Sequence, residues 1–161
     1  EACQARLAEA GYAQYEVSAY AREGRQCAHN LNYWRFGDYL GIGAGAHGKI
    51  SSGAQQQVLR RWKHKHPQAF MDTAGSPAAI GGDDVSDAAR LPFEYMLNLL
   101  RLHEGFELRD FEARTGLGRA VLQPALATAV ERGWLRRDGG RVVPTELGRR
   151  FTNDVVELFL P

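Results

Sequence analysis

The sequence of 161 residues has only two cysteines, Cys3 and Cys27. They form no disulfide framework, and a reducing cytoplasm is the expected compartment. Long apolar runs are missing as well, so no segment has the length of a membrane-spanning helix, and no signal peptide is read. Net charge is nearly absent, at +1. It is also split: residues 1–80 carry +3 and residues 81–161 carry −2, which makes the second half a poor binder of nucleic acid. No CxxCH is present to attach heme covalently, and no GxSxG, HExxH, P-loop or paired-carboxylate motif marks a standard catalytic centre. Cys27 with His29, and His64 with His66, are two-ligand spacings without a second pair, and they read as surface residues. Internal repeats, coiled coils and low-complexity tracts are missing too.

What the sequence does have is concentrated in His29 to Gly48, HNLNYWRFGDYLGIGAGAHG. The first half gathers a His, two Asn, a Tyr, a Trp and an Arg. The second sets Gly41, Gly43, Gly45 and Gly48 in an apolar run. Read as a strand from Asp38 to Ala46, that run puts Gly41, Gly43 and Gly45 on one face and Ile42, Ala44 and Ala46 on the other. A strand face stripped of side chains marks close approach by a ligand or by another backbone, and tight strand packing stays open beside the ligand. Gly43 to Gly48 is formally GxGxxG, but no helix pattern follows it, and Val58 to Arg60 stand where a dinucleotide fold needs a carboxylate. His29, Tyr33, Trp34 and Arg35 supply an imidazole, aromatic walls and a guanidinium, which suit an axial ligand, ring contacts and propionates of a tetrapyrrole. A hydrogen-bonded, partly buried His is the competing reading for His29.

Along the chain, residues 1–11 predict an amphipathic helix ending at Gly11. An opening inside a helix is expected of a piece of a longer protein. Tyr12–Tyr20 predicts a strand, 21–28 a polar loop, Val58–His64 a strand and 68–73 a short helix. This order fits the end of an α/β sheet or barrel. Residues 74–84, rich in Gly, Ala, Pro and Asp, read as a linker. Beyond it, three helical patterns end at Leu100, Gly116 and Gly133. A hairpin around Asp138-Gly139-Gly140 and a helix capped by Thr145 follow. Helix, helix, helix, hairpin, helix is the order of a winged helix. Its second and third helices carry few bases, which disfavours a nucleic-acid reader.

The HNxxYW pattern (His29, Asn30, Tyr33, Trp34), with YEVSAYA before it, KHKHP and PFEYMLNLLRL after it, and the final VVELFL, resembles the oxygen-independent coproporphyrinogen III oxidase-like family of the radical S-adenosylmethionine superfamily. Within that family it is similar to the heme chaperone branch. The resemblance implies that residues 1–73 close an incomplete radical S-adenosylmethionine barrel, that 74–84 link, and that 85–161 form a winged-helix-like C-terminal domain. It implies a 4Fe-4S cluster whose ligands precede Glu1, since no CxxxCxxC occurs in this chain. S-adenosylmethionine is then expected beside Gly43, Gly45, Ala46 and His47, and heme at His29, Tyr33, Trp34 and Arg35. The implied partners are heme and heme-requiring acceptor proteins, membrane-associated ones among them, and not nucleic acid. A porphyrinogen-oxidising radical enzyme is the alternative that needs the same cofactors, and a winged-helix nucleic-acid module is a second alternative.

Overall fold

In a computed structural model, residues 2–161 are described. The chain opens with α1 (Ala2–Glu9), then a short antiparallel hairpin of β1 (Ala13–Glu16) and β2 (Ala19–Ala21). The expected single strand over Tyr12–Tyr20 is broken by the turn at Val17-Ser18. The tip is fixed because the buried Glu16 accepts a hydrogen bond from Ser18 Oγ at 2.8 Å. Helix α2 (Ala28–Trp34) follows and contains the HNxxYW residues.

A three-stranded antiparallel sheet comes next, built from β3 (His47–Ser52), β4 (Gln57–Lys63) and β5 (Ile80–Ser86), with α3 (Pro67–Thr73) between its last two strands. Every strand pair among the described residues is antiparallel, so the parallel pairing typical of an α/β barrel is not seen in this stretch. The segment 74–84, expected as a linker, instead holds a 3-10 turn and most of β5. Gly82 of this segment serves packing: a Cβ there would run into the ring of Trp62, which lies across the strand.

The remainder consists of α4 (Leu91–Leu99), β6 (Phe106–Glu107), α5 (Leu108–Thr115), α6 (Gln123–Glu131), β7 (Leu135–Asp138), β8 (Arg141–Pro144), α7 (Glu146–Arg150) and α8 (Thr152–Glu157). The strands pair in the order β6-β8-β7. The apolar stripe Met96, Leu99, Leu100 on one helix meets Phe111, Leu122 and Leu126 on the others, because helical spacing puts them on facing sides. Sequence spacing alone groups Leu97 with Phe93, Met96 and Leu100, but Leu97 is exposed. The terminal helix, expected as one piece, breaks at Phe151 (φ −110°, ψ 32°), whose ring stacks on Trp134 at 6.2 Å.

The two halves share one core. Phe36 and Val58 belong to the same buried cluster as Leu91, Tyr95 and Phe111. Polar contacts reinforce the junction: Glu94 of α4 accepts hydrogen bonds from Ser86 Oγ of β5 and, at 2.5 Å, from Arg60 of β4.

Thr145 ties the hairpin to α7. Its hydroxyl donates to Gly133 O at 2.7 Å and accepts from Gly148 N at 3.0 Å. Thr145→Ala is expected to lower stability by about 1 kcal/mol, the usual worth of such a cap, read as a lower urea midpoint at unchanged slope.

Candidate functional site

The HNLNYWRFGDY residues do not converge on one cavity. They splay around α2 because residues spaced by four share a helix face and those spaced by five or six do not. His29 and Tyr33 share a face. The exposed imidazole of His29 meets the Tyr33 ring edge-on at 4.7 Å, and Tyr33 in turn meets Tyr39 at 4.4 Å. Burial raises the Tyr39 phenol above its ordinary value, with Tyr33 adding and Arg60 opposing, so that phenol is uncharged at neutral pH. Next to Tyr39, Leu40 and Ile42 are 77% and 91% exposed, the extreme cases among the large apolar residues described.

Trp34 faces elsewhere. The guanidinium of Arg101 lies 4.3 Å from its ring centre, and Arg101 pairs at 3.6 Å with the buried Glu16. Arg35 turns a third way and pairs with Glu104 at 2.8 Å. Of the four residues expected at heme, only His29 and Tyr33 are brought together. Trp34 and Arg35 are engaged with the C-terminal half.

The other residues of the motif fasten the helix to the sheet. The chain leaves α2 through Phe36 in a left-handed conformation (φ 56°), and Gly37 N donates to Asn32 O at 2.7 Å. Asn32 Nδ2 donates to Asp38 O at 3.1 Å, and its side chain fills the space a Cβ at Gly37 would need. Lys49 of β3, with a side chain 5% exposed, reaches back to this turn. Its Nζ donates to Phe36 O at 3.0 Å, Ser51 Oγ at 2.8 Å and Asp38 Oδ1 at 3.2 Å, and lies 3.8 Å from the Phe36 ring centre. Burial lowers the Lys49 ammonium from its usual range. Asp38 opposes that effect, while Arg60 and Arg114 add to it. Burial raises the Asp38 carboxyl, but hydrogen bonds from Ser51 and Lys49 outweigh it, so the net shift is downward. Sequence reading missed this network. Its trace is Lys49 standing two residues from Ser51 on the strand face that also carries the buried Val58, where an uncompensated ammonium is costly.

The glycine run is not a strand. Tyr39 makes one isolated bridge to Lys49, and Leu40 to Ala46 form a loop. Gly43 and Gly45 sit at φ 101° and 69°, conformations that favour glycine, and nothing lies within 4 Å of a Cβ built at Gly43. Gly41 is the position that needs a missing side chain for contact, since a Cβ there would meet the His47 backbone. The loop is clasped to the end of β4: Gly45 N donates to His64 O at 2.7 Å, and Lys63 N donates to Ala46 O at 3.0 Å. Backbone packing at Gly41 and turn geometry at Gly43 and Gly45 therefore account for these glycines without the expected strand face. His47 begins β3, is exposed, and stacks on Trp62 with ring centres 6.0 Å apart.

Comparison with known proteins fits this arrangement. Residues 87–151 match the family model of the HemN C-terminal domain. The chain is 46% identical over 154 residues to the protein named heme chaperone HemW of Escherichia coli (strain K12), covering 96% of this chain and 39% of that protein. It is 38% identical over 161 residues to the heme chaperone HemW of Mycobacterium tuberculosis (strain CDC 1551 / Oshkosh), covering 99% and 38%. The solved coproporphyrinogen III oxidase (HemN) from Escherichia coli, a radical SAM enzyme, has the same mixed α/β fold over 98% of this chain and 39% of its own, with a TM-score of 0.65 at 15% identity. The chain thus spans about two-fifths of the length of the curated relatives it matches. It belongs to the oxygen-independent coproporphyrinogen III oxidase-like family, on the side of the relatives named heme chaperones.

Proposed function

We propose that this chain is part of a heme chaperone, and that His29 is its point of attachment for the heme it carries to heme-requiring acceptor proteins. One observation carries the reading: an exposed imidazole stands on a ledge of Tyr33 and Tyr39, and the loop that follows Tyr39 turns Leu40 and Ile42 out to solvent. A flat apolar macrocycle is held by such a set, the ring nitrogen as axial donor and the aromatic and aliphatic side chains as its apolar contact. The relatives named heme chaperones support it. Trp34 and Arg35 then act from behind, holding α2 to Arg101 and Glu104, in place of touching heme directly.

The cofactors implied by the family divide. The described residues do not fit a 4Fe-4S cluster: no group of three His, Cys, Asp or Glu is placed to ligate metal, and Cys3 and Cys27 are free and exposed. In this reading the cluster is held by a part of the longer relatives that this chain does not span. S-adenosylmethionine, which supplies a reactive adenosyl group when bound to such a cluster, fits the loop at two points, the open space at Gly43 and the exposed His47 imidazole. Residues 1–73 would complete the barrel, and 85–161, with the strand order β6-β8-β7, would form the winged-helix-like domain. No helix described is long and apolar enough to cross a membrane, and we place the protein in the cytoplasm. At the start of the third helix of the C-terminal half, where a winged helix would read DNA, Gln123 accepts from Arg137 at 2.5 Å and Arg119 pairs with Glu112 at 3.8 Å.

The test is a heme titration of the full-length protein followed in the Soret region. His29→Ala should weaken heme at least about tenfold and change the ligand-field bands, while Arg35→Gln should leave both nearly unchanged. Unaltered spectra and affinity in His29→Ala would remove His29 from the site. Conversion of coproporphyrinogen to a vinyl-bearing product would replace the chaperone reading with that of an oxidase.

A further inference from the structure

A cavity of about 650 Å³ lies where α2, α4, α5 and the β6–β8 pair meet. Its size suits a metabolite or a slightly larger ligand. The walls are apolar at Leu99, Leu102, Phe106 and Ala113. The charged residues around it sort into two kinds. Arg35 is neutralised by Glu104 at 2.8 Å, and Arg141 by Glu107 at 3.4 Å. Arg114 and Asp110 line the same cavity and make no ion pair among the described residues, with each other or with a third group. They stand four apart on α5, and so share a face of that helix. What remains after the pairs cancel is one free cation and one free anion, a helical turn apart.

A buried donor also lines the cavity. Tyr95 is fully buried, packs edge-on to Phe111 at 5.1 Å, and its hydroxyl has no hydrogen-bond partner. Burial raises its phenol far above the ordinary range, with Asp110 adding to the rise and Arg114 opposing it. The hydroxyl is therefore protonated and lies in the field of the two free charges. A buried polar group without a partner is unusual, and a bound molecule or water is the ordinary way it is satisfied.

We infer that this cavity binds an apolar amino acid as its zwitterion. The carboxylate goes to Arg114 and the Tyr95 hydroxyl, the ammonium to Asp110, and the side chain lies against Leu99 and Phe106. Both side chains are exposed, so the discrimination is by like-charge repulsion: a plain anion meets Asp110 and a plain cation meets Arg114, whereas a ligand with both charges answers both groups. The site does not depend on the heme reading, because His29 and Tyr33 are not among its lining residues.

Isothermal titration of the full chain with L-tryptophan, indole-3-propionate and tryptamine tests it, the latter two lacking the ammonium and the carboxylate respectively. L-Tryptophan should bind saturably, and each analogue should be at least about tenfold weaker, one charged contact being lost in each. Arg114→Gln should weaken L-tryptophan about tenfold and leave tryptamine unweakened. Asp110→Asn should do the same with indole-3-propionate as the unweakened ligand. Tyr95→Phe keeps the ring packing, and should weaken L-tryptophan by about threefold in a folded protein. Absence of saturable binding of L-tryptophan up to about 10 mM, equal binding of the three ligands, or indifference to Arg114→Gln and Asp110→Asn would each overturn the assignment.

Discussion

Phe36→Ala is expected to destabilise the protein by about 4 kcal/mol, as deletion of a fully buried aromatic ring usually does, and so to lower the melting temperature by roughly 10–15 °C. The ring is 1% exposed and packs against Tyr95 at 5.2 Å, within the cluster that joins the two halves of the chain. It also lies under the Lys49 ammonium, so its loss removes a cation–π contact from a group already short of water. A second substitution separates ring from backbone. Phe36 holds φ at 56°, where a Cβ costs about 1 kcal/mol, so Phe36→Gly should be no less stable than Phe36→Ala despite its greater unfolded-state freedom. Urea unfolding with both variants measures this. A loss below about 1 kcal/mol in Phe36→Ala would mean that the two halves do not share a core. Because Phe36 is one of the residues that anchor the end of α2, the same variant should also loosen the His29–Tyr33 ledge, visible as a smaller heme response in the full-length protein.

The helices of the C-terminal half were legible because their apolar spacing and their glycine ends agree. The stripe of Leu108 and Phe111 stops at Gly116, and that of Leu122, Leu126 and Ala129 stops before Gly133. The hairpin was equally plain from Asp138-Gly139-Gly140. Two elements were hidden for physical reasons. Strand β5 lies in a stretch whose glycines suggest a linker, yet Gly82 is small because the Trp62 ring covers it, a cross-strand fact no local pattern contains. Helix α2 was obscured by its chemistry: His29, Tyr33, Trp34 and Arg35 invite a reading as one cluster, whereas the 3.6-residue period turns them three ways. Of that cluster only His29 and Tyr33 stay on one face. The flanking Asn32, Gly37 and Asp38, to which the sequence reading gave no such role, fasten the helix to β3 through Lys49.

Lys49→Met should therefore cost about 2–3 kcal/mol, below the full range for breaking a buried ion pair because the Asp38 side chain is 38% exposed and water can replace part of what is lost. Methionine keeps the stem against Phe36, so the loss isolates the ammonium and its three hydrogen bonds. The pH dependence adds a second signature. Asp38 titrates below its unfolded value of 3.8, so its contribution is complete above that pH and is lost as pH falls through the folded value. Lys49 titrates below its unfolded 10.5. The folded state thus holds fewer protons than the unfolded one between the two values, and stability from this group rises with pH through that alkaline window. In Lys49→Met the alkaline rise should vanish. The acid loss should shrink too, because one of the hydrogen bonds holding the Asp38 carboxyl down has gone. Chemical denaturation at a series of pH values reads both limbs. Curves parallel to wild type at every pH would mean that the Lys49 charge does not couple to folding, and that the turn delivering Tyr39 to the His29 ledge is held by packing alone.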